Sequence, residues 1–133
     1  MAVTLAEAER AIAASVVKAQ ALGIRVSVAV VDPNGSLVAL HRMDGAGPIT
    51  VDIAQNMAYT SATFRMPGAS MADWYMQPWF HSMVLQSHGK LLPADGGLPM
   101  RREKEVLGAI GVSGGSGAQD KECSEAGIAT LAT

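Results

Sequence analysis

An α+β domain with an antiparallel sheet is what this 133-residue sequence predicts, and three observations predict it. Two segments read as β-hairpins rather than as strands alternating with helices, which implies antiparallel pairing. Three segments carry apolar residues at helical spacing, and they flank the hairpins instead of separating their strands. The chain has the length of one ordinary domain, and 49% of its residues are apolar, enough for a single core.

The elements follow in order. Thr4 and Glu7 form a T-x-x-E capping box, so a helix should begin at about Leu5. Leu5, Ala8, Ile12, Val16 and Ala19 recur on one face, and Gly23 ends the run. RVSVAVVD, residues 25 to 32, is short and β-branched, as a buried strand should be. Pro33-Asn34-Gly35 is a turn: proline presets φ, and asparagine and glycine tolerate positive φ. SLVALHRM, residues 36 to 43, completes a hairpin. Residues 49 to 64 turn helical again, with Ala54, Ala58 and Ala62 giving a face that allows close packing, and Pro67-Gly68 stops the run. Two short helical pieces, 70–77 and 79–87, are predicted on either side of Pro78. Lys90 to Pro93 reads as a short strand. LPMRRE and VLGAIGVSG read as two more strands joined by a tight turn near Lys104. SGGSG is a glycine-rich connection, and AQDKECSEAGIATLA, residues 118 to 132, a closing helix.

Composition removes whole classes of function. The net charge of −2 and pI of about 5.8 give no basic face for nucleic acid. No apolar run approaches the roughly 20 residues of a membrane span. Glu7 and Glu9 precede the first apolar run, where a signal peptide carries positive charge only, so a cytoplasmic protein is expected. The single cysteine, Cys123, excludes an internal disulfide and reads as packing.

Chemistry concentrates in three stretches. HRMDGAG, residues 41 to 47, places His41, Arg42 and Asp44 at a strand end and in the loop after it, where sites are usually built. They would orient a polar ligand; the structural alternative is that Asp44 caps the turn while Arg42 pairs with it or with Asp32. GAIGVSGGSGAQD, residues 108 to 120, is strand, glycine loop and helix, and the amides at Gly114 and Gly115 suit an anion. It has neither the GK[ST] ending of a phosphate loop nor the G-x-G-x-x-G spacing, so a tight turn is the structural alternative. MADWYMQPWFHSM, residues 71 to 83, holds Trp74, Tyr75, Trp79 and Phe80 in a chain with only two each of Trp, Tyr and Phe, and His81 follows directly. These aromatics, with the methionines among them, read either as the wall of an apolar pocket or as a subunit interface. His41, His81 and His88 form no cluster with metal spacing, so no metal site is expected unless His81 serves as an axial ligand to haem.

VAVVDPNGSLVALHRMDGA, IAQNMAYTSATF, GGLPM and GAIGVSGGSGAQD, in that order, resemble the GlcG/HbpS family of haem-degrading or haem-binding domains, related to the PduO C-terminal domain. The match covers nearly the whole chain. The resemblance implies a profilin-like fold with about five antiparallel strands, homo-oligomers of the tetramer or octamer kind, and a haem- or corrinoid-type ligand. Arg42, Asp44 and the Gly111 to Gly115 loop match the family's positions. The chain reads Asn56-Met57-Ala58-Tyr59-Thr60-Ser61 where members often read K-A-Y-T-A, so the lysine is missing, and it carries Gly68 where they often carry threonine. Residues 71 to 88 are also individual, so a remodelled pocket is expected.

Three functions fit these residues. The first is a small-ligand-binding domain that takes haem or another flat conjugated molecule. Trp74, Tyr75, Trp79 and Phe80 would form the wall, His81 would be an axial ligand or a hydrogen-bond donor, and Arg42 and Asp44 would hold polar substituents. The second is a cofactor-independent isomerase, hydratase or lyase acting on a small carboxylate or aromatic compound. His81 or His41 would be the acid–base, Arg42 would clamp a carboxylate, and Gly114 and Gly115 would offer amides to an oxyanion. The third is an oligomeric accessory protein whose aromatic segment is wholly interface.

Overall fold

The structure, a computed structural model, describes residues 1–131. Helix α1 (Leu5–Leu22) starts at the predicted capping box: the Glu7 amide donates to Thr4 Oγ1 at 3.1 Å and the Thr4 amide to Glu7 Oε1 at 2.9 Å. Gly23 closes it in the left-handed conformation, φ 72°. Strands β1 (Ser27–Val31) and β2 (Leu37–Arg42) form the first hairpin. Its turn is tied by Asp32, whose Oδ1 accepts from the amides of Asn34 and Ser36, and Gly35 takes the positive φ there. Helix α2 (Ile49–Phe64) follows, then a 3₁₀ segment (Gly68–Met76) and α3 (Pro78–Gln86). Proline thus opens α3 at a position whose N–H has no intrahelical partner. Strands β3 (Gly97–Arg102) and β4 (Glu105–Ser113) make the second hairpin, and α4 (Gly117–Ala129) ends the described chain. The predicted closing helix reached Ala132, which lies outside the described residues.

The four strands form one antiparallel sheet in the order β2-β1-β4-β3. The expected strand count of about five is corrected to four among the described residues. The predicted strand at Lys90–Pro93 is irregular, because its amides are satisfied elsewhere. The Leu91 amide donates to Ser87 Oγ at 3.2 Å and the Leu92 amide to Thr60 Oγ1 at 2.7 Å, so no ladder forms.

The sheet is covered on both faces. Val28, Val30, Ile110 and Val112 pack with α1 and α4, including Ile12, Ala19 and Cys123. Ala29, Val31 and Ala109 face Ala54, Ala58 and Ala62 of α2. The central strand β1 is buried at every position, which is why it reads as a continuous apolar run rather than an alternating one.

Candidate functional site

Antiparallel register brings two distant motifs to one edge of the sheet. Ser27, at the start of β1, pairs with Arg42 at the end of β2 on one side and with Ser113 at the end of β4 on the other. HRMDGAG and the glycine loop therefore flank the same strand. An open groove of about 580 Å³ lies at this end, lined by Val16 and Gln20 of α1, Gly23 to Arg25, and His41 to Asp44.

The side chains in the groove are held mainly by backbone carbonyls. Arg42 donates one guanidinium N–H to Ala46 O at 3.1 Å. Arg25 donates one to Asp44 O at 3.0 Å. Neither arginine lies within ion-pair distance of a carboxylate among the described residues. The anticipated pairing of Arg42 with Asp44 or Asp32 is thus replaced by a bond to the loop backbone. His41 Nε2 sits 3.1 Å from Glu9 Oε2 of α1, an ion pair when the imidazole is protonated.

The glycine loop is internally committed. The Gly115 amide donates to Asp120 Oδ1 at 2.8 Å. Asp120 is buried in the first turn of α4, and burial raises its carboxyl above the ordinary value while the Gly115 and Gly114 amides pull it back. Ser116 caps α4 in a second capping box with Gln119. The sequence carried that signal as S-x-x-Q, hidden inside SGGSG. Sequence reasoning also missed Arg25 and Gln20. A strand-opening arginine gains meaning only once the register sets it beside Arg42.

The aromatic segment lies elsewhere. Ser27 Oγ and Thr50 Oγ1 are 2.8 Å apart, so the first turn of α2 meets the strand-end cluster. Phe64, the last residue of α2, packs edge-on to Trp74 with ring centroids 4.9 Å apart. Thr50 and Phe64 are separated by about 21 Å at 1.5 Å per residue. Within one chain, the aromatic residues and the Arg42–Asp44 loop do not meet, and no single small ligand spans them.

Within the segment the rings support one another. Trp74 touches Trp79 and Phe80 at centroid distances of 5.6 and 6.0 Å, and Tyr75 meets Phe80 edge-on at 5.6 Å. Phe80 and Met71 have no exposed surface and anchor the segment, whereas Trp79 is 48% and Met76 81% exposed. Phe80 is thus behind the surface that Trp79 presents, as an apolar shelf rather than an enclosed pocket. The Tyr75 hydroxyl donates to Pro93 O at 2.5 Å, and His81 Nε2 lies 3.2 Å from Tyr75 O. Gly68 seats the segment: a Cβ there would stand 1.9 Å from Ala94 O. The residue that breaks the common family pattern is therefore one whose lack of a side chain this packing requires. At the other departure, Met57 takes the place of the lysine and is buried, while Asn56 beside it lines a second cavity of about 450 Å³ with Tyr59 and Lys90, whose Nζ lies 5.7 Å from the Tyr59 ring centroid.

No helix among the described residues is long and apolar enough to cross a membrane, and no group of three or more metal-binding side chains forms among them.

Comparison with known proteins places this architecture. An uncharacterised 15.0 kDa protein from Citrobacter freundii is 33% identical over 95% of this chain and 89% of its own. GlcG of Escherichia coli K12 is 36% identical over 77% of this chain and 74% of its own. The corrinoid adenosyltransferase PduO of Citrobacter freundii is 30% identical over 98% of this chain, which spans only 39% of that longer protein. Among solved structures, a double mutant of Streptomyces reticuli HbpS superposes with a TM-score of 0.88 at 34% identity, covering 100% of this chain and 89% of that one. The PduOC complex with haem gives 0.88 at 26%, covering 98% and 95%. With the family model described as haem degrading protein HbpS-like matching residues 3–129, the chain belongs to the GlcG/HbpS-like family.

Proposed function

We propose that the chain is a small-ligand-binding domain that takes haem, or another flat conjugated molecule, on the apolar shelf of the 71–88 segment. The observation that carries this reading is the likeness, over nearly the whole of both chains, to PduOC in its complex with haem. The shelf has the residue chemistry such a ligand needs. Trp79, Tyr75 and Met76 offer exposed apolar surface, and Trp74 and Phe80 hold Trp79 in place. His81 fits an axial role. When Nε2 donates to Tyr75 O, the lone pair is left on Nδ1, and a carbonyl partner on the other ring nitrogen is the usual support for a ligating imidazole. Haem, if bound, would supply an iron centre, and His81 Nδ1 is the nitrogen that would hold it. One chain offers one face of a slot, so a homo-oligomer of the tetramer or octamer kind would cover the other.

A haem titration followed by absorbance tests this on the native chain and on His81→Ala. A saturable, shifted Soret band that moves again in the variant is expected. No saturable band would overturn the haem reading, and a band untouched by the variant would remove His81 from it.

A further inference from the structure

We propose that the strand-end groove is a second binding site, for a small carboxylate, independent of the aromatic shelf. The argument rests on how Arg25 and Arg42 are held. Both line the groove, and each spends one N–H on a carbonyl of the same short loop, Asp44 O for Arg25 and Ala46 O for Arg42. A guanidinium has five N–H donors in a fixed fork, so each keeps several after that bond. No carboxylate of the described chain lies within ion-pair distance of either. Two arginines tied to one loop, neither of them ion-paired, form a partly preorganised anion receptor, because each hydrogen bond reduces the side-chain freedom that a ligand must still remove.

Gly45 leaves room for this placement. A Cβ at Gly45 would lie 2.5 Å from the Arg25 Nη1 and 3.0 Å from its Cδ. The glycine, with φ 82°, clears the path along which the arginine crosses the loop. The nearest negative group on the loop is the Asp44 side chain, which also lines the groove. It favours a ligand that carries a hydrogen-bond donor beside its carboxylate over a bare inorganic anion. Gln20 adds a neutral amide from α1. Phosphate would meet Asp44 with more negative charge than a monocarboxylate, so carboxylates are the class this groove selects.

Calorimetric titration of the full chain with propionate and with lactate, a monocarboxylate that adds a hydroxyl donor, tests the site, with inorganic phosphate as the comparison. Saturable binding is expected, tighter for lactate than for phosphate, and weakened at least ten-fold in Arg25→Gln and in Arg42→Gln. Both positions are exposed, so the variants keep the fold. Gly45→Ala should weaken binding through Arg25 alone, so combining it with Arg25→Gln should add little. His81→Ala and Trp79→Ala should leave binding unchanged, which separates this site from the haem reading. Absence of saturable carboxylate binding, or binding equal in the native chain and both arginine variants, would overturn the proposal. So would a preference for phosphate.

Discussion

The groove at the strand ends takes its side chains from elements that the sheet holds on both sides, whereas the 68–86 segment is held by its own rings, by the last residue of one helix and by the backbone at Pro93 and Ala94. In the groove, ladder register sets Arg42 and Ser113 on either side of Ser27, and backbone carbonyls fix the two arginines. In the segment, Phe80 and Met71 are the buried anchors, and Trp74 joins them to Phe64. The difference teaches that a constant scaffold can carry polar recognition at strand ends, where geometry is inherited from the ladder. Apolar recognition can then vary in an excursion that needs only a few anchoring contacts of its own.

The sharpest way to break this comparison is to remove the anchor. Phe80→Ala should cost about 3–5 kcal/mol, as expected for a fully buried aromatic, measured by urea unfolding. If the segment is held as described, Trp fluorescence should change before the rest of the fold unfolds. A single coincident transition with little loss would show that the segment is not anchored there. Gly68→Thr comes next. Its side chain would collide with Ala94 O, so a loss of about 1–3 kcal/mol is expected, together with weaker haem binding and unchanged carboxylate binding.

Glu7→Gln is a control that should affect both regions equally, because it acts on α1 and the shared core. The Thr4 amide, and then Arg102, hold the Glu7 carboxyl down at about 2 from the usual 4.5. The folded pKa is depressed, so this carboxylate stabilises the fold above about pH 4.5 and the contribution is lost as pH falls toward 2. The native chain should lose stability across that window, and the variant should lose less while starting up to about 1 kcal/mol lower at neutral pH, since glutamine keeps the capping bond and loses the charge toward Arg102. Acid unfolding followed by circular dichroism reads both. The smallest effect is expected at Leu85→Ala, an exposed position on α3, where stability should change by no more than about 0.5 kcal/mol. A larger change in subunit number would instead mark α3 as a contact between copies.

Much of this was legible in the chain. The capping box at Thr4, both hairpins, the alanine face of α2 and the break at Pro78 are local signals, and local hydrogen bonds satisfy them. The strand at Lys90–Pro93 was misread because its amides are taken by Thr60 and Ser87, partners thirty-two and four residues away, which no periodicity reports. The candidate site was legible in its parts and not in its arrangement. His41, Arg42 and Asp44 stood out as a motif, and so did the aromatic run. That they lie at opposite ends of α2 depends on tertiary placement, and so does the partnership of Arg25 with Arg42. The glycine loop suggested an anion site, while the carboxylate that takes its amide, Asp120, sat unnoticed in the first turn of the following helix.

The central claim is that ring recognition and charge recognition reside in different places. The haem dissociation constant of Trp79→Ala and of Arg42→Gln, measured side by side from the Soret band, tests it most directly. At least a ten-fold weakening in Trp79→Ala, with Arg42→Gln within two-fold of the native chain, is the predicted result. Strong weakening in Arg42→Gln with Trp79→Ala unchanged would contradict it.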